Sequence, residues 1–351
     1  MNYFVIIAIA ILLDRLIGDP PNWPHPVRFY GWLIKRNERW VRKHFTNLVV
    51  GGYFLVFLSI AAAVLPIVIL HLLLPPLFFN ILAVYVLFTC LASKCLCDEA
   101  KKVAETLLQN DIEKARLQIS YLVGRDTSQL DETGIVRATV ETVAENTIDG
   151  VLAPLFMMLI GAPFGISVEL AVAYKVVNTL DSMVGYIHDP YREIGFASAK
   201  LDDLFNLIPA RLGALLMILA GGVSGSLRKN ANTGKNETSV EDTYSVKRAY
   251  AINNDYSIKN AYRVFMRDRY NHKSPNSAHP ESVVAGLLGI RLGGTNTYFG
   301  NVVVKPTIGD SIHEIEVQHI DETNRILYST LWLVAAITIL LAIFSTFHPL
   351  G

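Results

Sequence analysis

Apolar residues fall along this chain in long blocks, and most of the charge is confined to the loops between them. A helix needs about 20 apolar residues to cross the hydrocarbon core of a bilayer. Residues 49–74, 77–97 and 329–347 meet that length. Residues 1–13 form a shorter apolar run. No basic residue precedes it, and Asp14, Arg15 and Asp19-Pro20-Pro21 stand where small cleavage-site residues belong, so it reads as a retained membrane helix rather than a signal peptide. Residues 150–174 are long enough to cross, but Gly161-Ala162-Pro163 and Gly165 interrupt them and Glu169 adds a charge. Residues 203–223 contain Asn206, Pro209 and Arg211. Broken helices at membrane depth occur where backbone faces protein or a wet cavity, and an arginine inside a span is costly. These two stretches are expected to be re-entrant pairs or cavity-lining helices, with an ordinary kinked span as the plainer alternative.

The pattern predicts an all-α, polytopic integral membrane helical bundle with four to six apolar spans, some of them broken or re-entrant. Residues 1–351 are expected to form a single membrane-embedded domain. Two polar stretches interrupt it: a helical cytoplasmic loop at 98–148, and a long cytoplasmic loop at 226–328 with an aromatic-basic helix and a His-Pro-Glu motif. Composition agrees: 52% of residues are apolar and 18% charged, against roughly 25% charged in a soluble domain. Basic and acidic residues balance at 31 each, so global charge gives no reason to expect nucleic acid as a partner.

Local charge decides sidedness. Residues 14–48 hold seven basic residues, whereas the connection at 71–76 holds no lysine or arginine. By the positive-inside rule the charged loops are cytoplasmic. In the 98–148 loop, Leu107, Leu108, Ile112, Ala115 and Ile119 recur at near-helical spacing, and Asp126 and Asp131 are turn or N-cap candidates. Residues 226–242 are rich in Gly, Asn, Ser and Thr and read as flexible. Beyond them Tyr250, Tyr256, Tyr262, Phe265 and Tyr270 decorate a basic helix, which could lie on headgroups, meet a planar ligand, or simply pack. Cys90, Cys95 and Cys97 cluster at the end of one apolar block and read as buried thiols rather than disulfide or metal ligands.

Candidate chemistry lies at the junctions of polar loops and apolar blocks. Arg137, Glu141, Glu145 and Asp149 are spaced by four, which places them on one face of a helix, with Asn146 beside them. Three carboxylates on one stripe suit Mg²⁺, which takes oxygen ligands and keeps several waters; the alternative is a solvated face with one Arg–Glu pair. Lys175, Asn178, Asp181 and Ser182, with Gly185 beyond, form a second stripe, for which helix-packing glue is the alternative. Asp202 and Asp203 are either metal ligands or the acidic start of a helix.

Around Pro20, Pro21, Pro24 and Pro26, a rigid turn carries Asp14, Arg15, Asp19, His25 and Arg28. A later polar run holds Asn271, His272, Ser274, Asn276, His279 and Glu281, ahead of Gly286, Gly289, Gly293, Gly294 and Asn296. The glycines there allow close backbone approach. No P-loop is present (Thr233-Gly234-Lys235-Asn236 fails at both ends), nor a nucleophile-elbow, zincin or dinucleotide fingerprint. Any nucleotide site is unorthodox.

Six stretches, in order and spanning nearly the whole chain, carry a resemblance: Asp14-Arg-Leu-Ile-Gly-Asp-Pro-Pro21, His25-Pro-Val-Arg28, Glu141-Thr-Val-Ala-Glu-Asn-Thr-Ile-Asp-Gly150, Tyr174-Lys-Val-Val-Asn-Thr-Leu-Asp-Ser-Met-Val-Gly185, Lys200-Leu-Asp-Asp-Leu-Phe-Asn-Leu-Ile-Pro-Ala-Arg211 and Ser274-Pro-Asn-Ser-Ala-His-Pro-Glu281. Together they resemble the CobD/CbiB family, the adenosylcobinamide-phosphate synthases of cobalamin biosynthesis.

The resemblance implies an ATP-dependent acid–amine ligase of the cell inner membrane, with its active-site loops cytoplasmic. It would join adenosylcobyric acid to 1-amino-2-propanol or its O-phosphate, with ATP as co-substrate and Mg²⁺ as cofactor. Its expected partners are these substrates, the lipid bilayer and other membrane-bound cobalamin-assembly enzymes. Under this reading Glu141, Glu145, Asp149, Asp181 and Lys175 are expected catalytic residues. Arg15, His25, Arg28, Asn146, Asn178, Arg211, Asn276, His279 and Glu281 would bind substrate, and Glu145, Asp149, Asp181, Asp202 and Asp203 would ligate metal. Two other classes compete: a transporter, suited by broken helices, and a membrane prenyltransferase, suggested by Asn178-x-x-Asp181 and Asp202-Asp203.

Overall fold

The computed structural model describes residues 2–20, 23–124, 126–186, 188–233, 257–298 and 301–348. Helix α1 (Tyr3–Leu16) is capped by Asn2, whose side chain accepts from the Phe4 N–H at 2.9 Å. Helix α2 (Pro26–His44) opens on a proline behind the cap His25, as suits a position whose N–H would be unused. Asn47 caps α3 (Leu48–Leu73). Then come α4 (Pro76–Thr89), α5 (Ser93–Leu108), α6 (Ile112–Ser120) and α7 (Glu132–Asn146), the last capped by Asp131. A π-helical segment, Thr147–Leu152, leads into α8 (Ala153–Gly161). A 3₁₀ turn, Ala162–Phe164, and Gly165 at φ +72° reverse the chain into α9 (Ser167–Val184). Helices α10 (Phe196–Phe205), α11 (Leu207–Thr233), α12 (Ile258–Asp268) and α13 (Ala278–Leu288) follow. An antiparallel hairpin of β1 (Leu292–Tyr298) and β2 (Asn301–Ile308) precedes α14 (Gln318–Phe347).

Four helical stretches are long and apolar enough to cross a membrane: Leu48–Leu73, Pro76–Leu108, Glu132–Phe164 and Gln318–Phe347. A fifth is added if the bent pair Phe196–Phe205 and Leu207–Val223 counts as one span. The chain is a polytopic helical membrane protein. Only 22% of the apolar window of α3 is buried within the protein, which leaves the rest for hydrocarbon.

Three expectations need correction. Helix α1 has 14 residues, about 21 Å at ~1.5 Å per residue, short of a core about 30 Å thick; it instead buries Ile6, Ile7, Ala10 and Ile11 completely. The third apolar stretch starts at Glu132 rather than Gly150, because α7 runs into the π segment and α8 without leaving helical geometry. Helix α11 continues to Thr233, into the start of the stretch read as flexible. Tyr250, Tyr256 and most of that stretch lie outside the described residues.

The chain divides into two compact units, Met1–Cys95 with Ile148–Pro209 and Val334–Gly351, and Leu96–Thr147 with Ala210–Leu333. In the first, α9 packs against α2, α3, α8 and α10. Gly52 of α3 faces the backbone carbonyl of Ile194, where an added Cβ would come within 2.4 Å, so the approach is closed to any larger residue. The π segment widens the helix and frees carbonyls from the i→i−4 ladder. Ala92 N–H donates to the Gly150 carbonyl at 3.1 Å. The fully buried Tyr174 hydroxyl lies 3.0 Å from the Asp149 carbonyl and 2.9 Å from Asn206 Oδ1.

In the second unit α12 and α13 pack together, and α7 contacts α6, α13 and β1. The hairpin was not foreseen; Val302-Val303-Val304 is β-favouring but too short a signal beside so much helix. Between Gly293 and Gly294 the register shifts, so Thr307 and Lys305 pair across the ladder and Pro306 is the extra residue, a bulge position that tolerates its missing N–H. Replacing Tyr174 with Phe should leave Asn206 Oδ1 short of a donor and cost about 1–3 kcal/mol. Thermal unfolding of the detergent-solubilised variant should show a lower midpoint with helical content unchanged.

Candidate functional site

In the second unit α7, α11, the loop 271–277 and the start of α13 bring together residues far apart in sequence. Glu141 is 8% exposed, and its Oε1 accepts from the backbone N–H of Gly293 at 2.8 Å. One turn on, Glu145 Oε1 accepts from the Ser277 hydroxyl at 2.7 Å. Arg211 Nη1 donates to Asn276 Oδ1 at 3.2 Å. His279, 1% exposed, meets the edges or faces of Phe265 and Tyr270 at 5.8 and 5.7 Å between ring centroids. Its Nδ1 has no hydrogen-bond partner among the described residues. Glu281 is buried in the first turn of α13. Asn146 Nδ2 donates to the Thr142 carbonyl at 3.0 Å, within its own helix.

Burial, aided by the charges of Arg211 and Arg269, pushes the His279 imidazole down to about 4 from its ordinary 6.5. It is therefore neutral at pH 7, and a neutral ring has one nitrogen that accepts.

The first unit holds the remaining candidates. Asp202, 8% exposed, accepts from Asn178 Nδ2 at 3.3 Å and from Asn206 Nδ2 at 3.0 Å, one amide on each oxygen. With Tyr174 bonded to Asn206, four side chains form one polar chain across α9 and the end of α10, buried except at the half-buried Asn178. Asp203 pairs with Lys200 at 3.4 Å at the surface. An added Cβ on Gly185 would lie 1.9 Å from Asp181 Oδ1. The carboxylate of Asp181 therefore occupies the space that the sequence reading reserved for a neighbouring helix or ligand. Lys175 is half-buried on the same helix. His25 Nε2 and Asp19 Oδ1 are 2.8 Å apart, Arg15 is half-buried and Arg28 exposed. Asp14 is buried and accepts from both the N–H and hydroxyl of Ser93, so it caps the start of α5.

The stripe at spacing four is interrupted. Glu141 and Glu145 share α7, but the π segment begins at Thr147 and the unit boundary falls before Ile148, so Asp149 does not continue the α-helical face. Glu141 bonds to the backbone N–H of Gly293. The aromatic stripe also divides: Phe265 is buried against His279, while Tyr262 and Tyr270 are exposed. Among the described residues no three His, Cys, Asp or Glu side chains form a group able to hold a metal. Sequence reasoning missed Ser277 and Asn206 as partners of the carboxylates and Tyr174 as the partner of Asn206; all three stand inside the quoted motifs, which was the available signal.

A histidine held at about 4 when folded and 6.5 when unfolded takes up its proton first in the unfolded chain. Its contribution to stability is complete above pH 6.5 and is lost as pH falls towards 4. His279→Gln should flatten the decline in melting temperature between pH 7 and pH 4.5, measured in detergent.

A family model described as CobD/Cbib protein matches residues 7–327. The chain is 44% identical over 340 residues to the cobalamin biosynthesis protein CobD of Clostridium perfringens, covering 95% of this chain and 96% of the relative. It is 44% identical over 328 residues to the CobD of Klebsiella pneumoniae, covering 92% of each. Against the cobalamin biosynthesis protein CbiB of Salmonella typhimurium, identity is 41% over 338 residues, 95% of each. No solved structure matches. Matched along nearly its full length by both the family model and these relatives, this chain belongs to the CobD/CbiB family of cobalamin biosynthesis.

Proposed function

We propose that this membrane protein is an ATP- and Mg²⁺-dependent amide ligase that joins the free propionate of adenosylcobyric acid to 1-amino-2-propanol or its O-phosphate. The observation that carries the reading is the grouping of Glu145–Ser277, Arg211–Asn276 and the neutral, buried His279 around one loop. The relatives' names place them in cobalamin biosynthesis. A carboxylate is a poor electrophile. Transfer of the γ-phosphoryl group of ATP to it gives an acyl phosphate and ADP. The amine's lone pair then attacks the acyl carbon, inorganic phosphate leaves, and the ammonium proton passes to a base.

Catalysis of this kind rests on positioning and on cationic groups directed at developing negative charge. Arg211 supplies a guanidinium, and its bond to Asn276 fixes the direction of its fork. Glu145 spends Oε1 on Ser277, which orients the carboxylate to accept the amine's proton. The unpartnered ring nitrogen of His279 is suited to a substrate hydroxyl or amide. Mg²⁺ is commonly held by one or two carboxylates plus substrate phosphates rather than by an all-protein cage. Where this cluster holds the ion, Glu145 is the carboxylate that would do so, in place of acting as the base, and the ion would offset phosphate charge. The seven basic residues at 14–48 favour a cytoplasmic position for that loop in the inner membrane, on the side where ATP is found.

Membranes containing the protein should convert adenosylcobyric acid, amine, ATP and Mg²⁺ into the amide, detected by mass spectrometry with stoichiometric ADP. Glu145→Gln keeps an acceptor for Ser277 but removes the charge. It should lower the rate roughly 100-fold, the scale of a lost acid–base group, with insertion and expression unchanged. Normal synthesis by that variant would remove Glu145 from the mechanism. Corrinoid uptake or diphosphate release in place of amide formation would replace the ligase reading altogether.

A further inference from the structure

Gly293 also borders a cavity of about 480 Å³ whose lining includes Thr133, Arg137, Arg291, Thr307, Ser311 and Glu314. That size falls within the range of small-molecule sites, about 300–1,000 Å³. Two arginines, Arg137 half-buried and Arg291 exposed, line one space, and among the described residues neither has an ion pair or a hydrogen bond. The one carboxylate in the lining, Glu314, is bonded to neither. Like charges gathered without a counter-ion repel one another, and an anion between them removes that cost. Three hydroxyls stand ready to donate. The wall is completed by Gly293 and Gly294 at φ +76° and +87°. At Gly294 an added Cβ would meet nothing within 4 Å, so the backbone there is open to a ligand's approach.

The geometry has a cause in the fold. Arg137 sits one turn before Glu141 on α7, and Glu141 grips the N–H of Gly293 at 2.8 Å. That bond holds the start of β1 against α7 and so sets Arg291 beside the same cavity as Arg137. Guanidinium forks match the paired oxygens of a phosphate and bind them bidentately. We infer that this cavity is a binding site for a phosphate group, with Arg137 and Arg291 as its clamps and the hydroxyls of Thr133, Thr307 and Ser311 as further donors. The site stands on the cavity alone. Under the ligase reading it would seat a phosphate of ATP or that of a phosphorylated amino alcohol.

The test is direct binding to the full-length protein in detergent, with no turnover required. Inorganic phosphate, ATP and 1-amino-2-propanol O-phosphate serve as separate probes. At least one should bind at up to millimolar concentration and weaken as salt is raised, since all the side chains named in the lining but that of Arg137 are exposed. Arg137→Gln and Arg291→Gln should each weaken it about tenfold, the scale of one lost charge-assisted bond. Glu314→Gln should tighten it by a factor of about two to three as a like charge is removed, a gain that misfolding cannot imitate. Preference for ATP would point to the nucleotide, and preference for the O-phosphate to the amine, as the source of the phosphate. Absence of binding by all three probes, or wild-type binding in both arginine variants, would overturn the assignment. If phosphate binding follows this pattern while no amide forms, the ligase reading falls and the site stands.

Discussion

A carboxylate removed from water must find hydrogen-bond donors or a cation, or give up its charge. This protein buries or half-buries several, and supplies most of their donors from distant parts of the chain. Glu141 takes the N–H of Gly293, Glu145 the hydroxyl of Ser277, Asp202 the amides of Asn178 and Asn206, and Asp14 the start of α5. Each bond is a local necessity with a long-range result. In an apolar body such bonds specify which helices meet and in what register, because a shift of one residue would strand a charge.

The same requirement accounts for where chemistry is possible. Apolar helices that lie in lipid have little to offer a polar substrate, so polar side chains gather at helix ends and loops. The loop 271–277 does this in the second unit, where its Asn276 and Ser277 meet a guanidinium from α11 and a carboxylate from α7, with the imidazole of α13 close behind in sequence. Burial that would destabilise a protonated histidine keeps His279 neutral. The cost of burying polar groups and the readiness to receive a polar ligand are two aspects of one arrangement.

Much of the architecture was legible in the order of residues, for a physical reason: a bilayer demands contiguous apolar runs, and contiguity is visible in one dimension. The spans at α3 and α14, the break at Gly161–Gly165 and the cap at Asp131 were all readable in that way. Spacing arguments failed where they assumed a uniform α-helix. The Arg137–Asp149 stripe ends because the chain widens into a π segment at Thr147, and nothing in the spacing of charges announces that. Individual candidate residues such as Glu145, Asn276 and His279 could be singled out by type and density. Their partners could not, since Ser277 and Gly293 meet α7 only through tertiary packing. The hairpin at 292–308 was hidden for the same reason: its glycines take their meaning from the bulge opposite Pro306.

Hydrogen–deuterium exchange of the membrane-inserted protein, with and without adenosylcobyric acid and a non-hydrolysable ATP analogue, tests most directly whether substrates meet this polar cluster. Slowed exchange is expected at the amides of residues 271–281 when both substrates are present. Unchanged exchange there, with protection appearing elsewhere on the chain, would contradict that meeting.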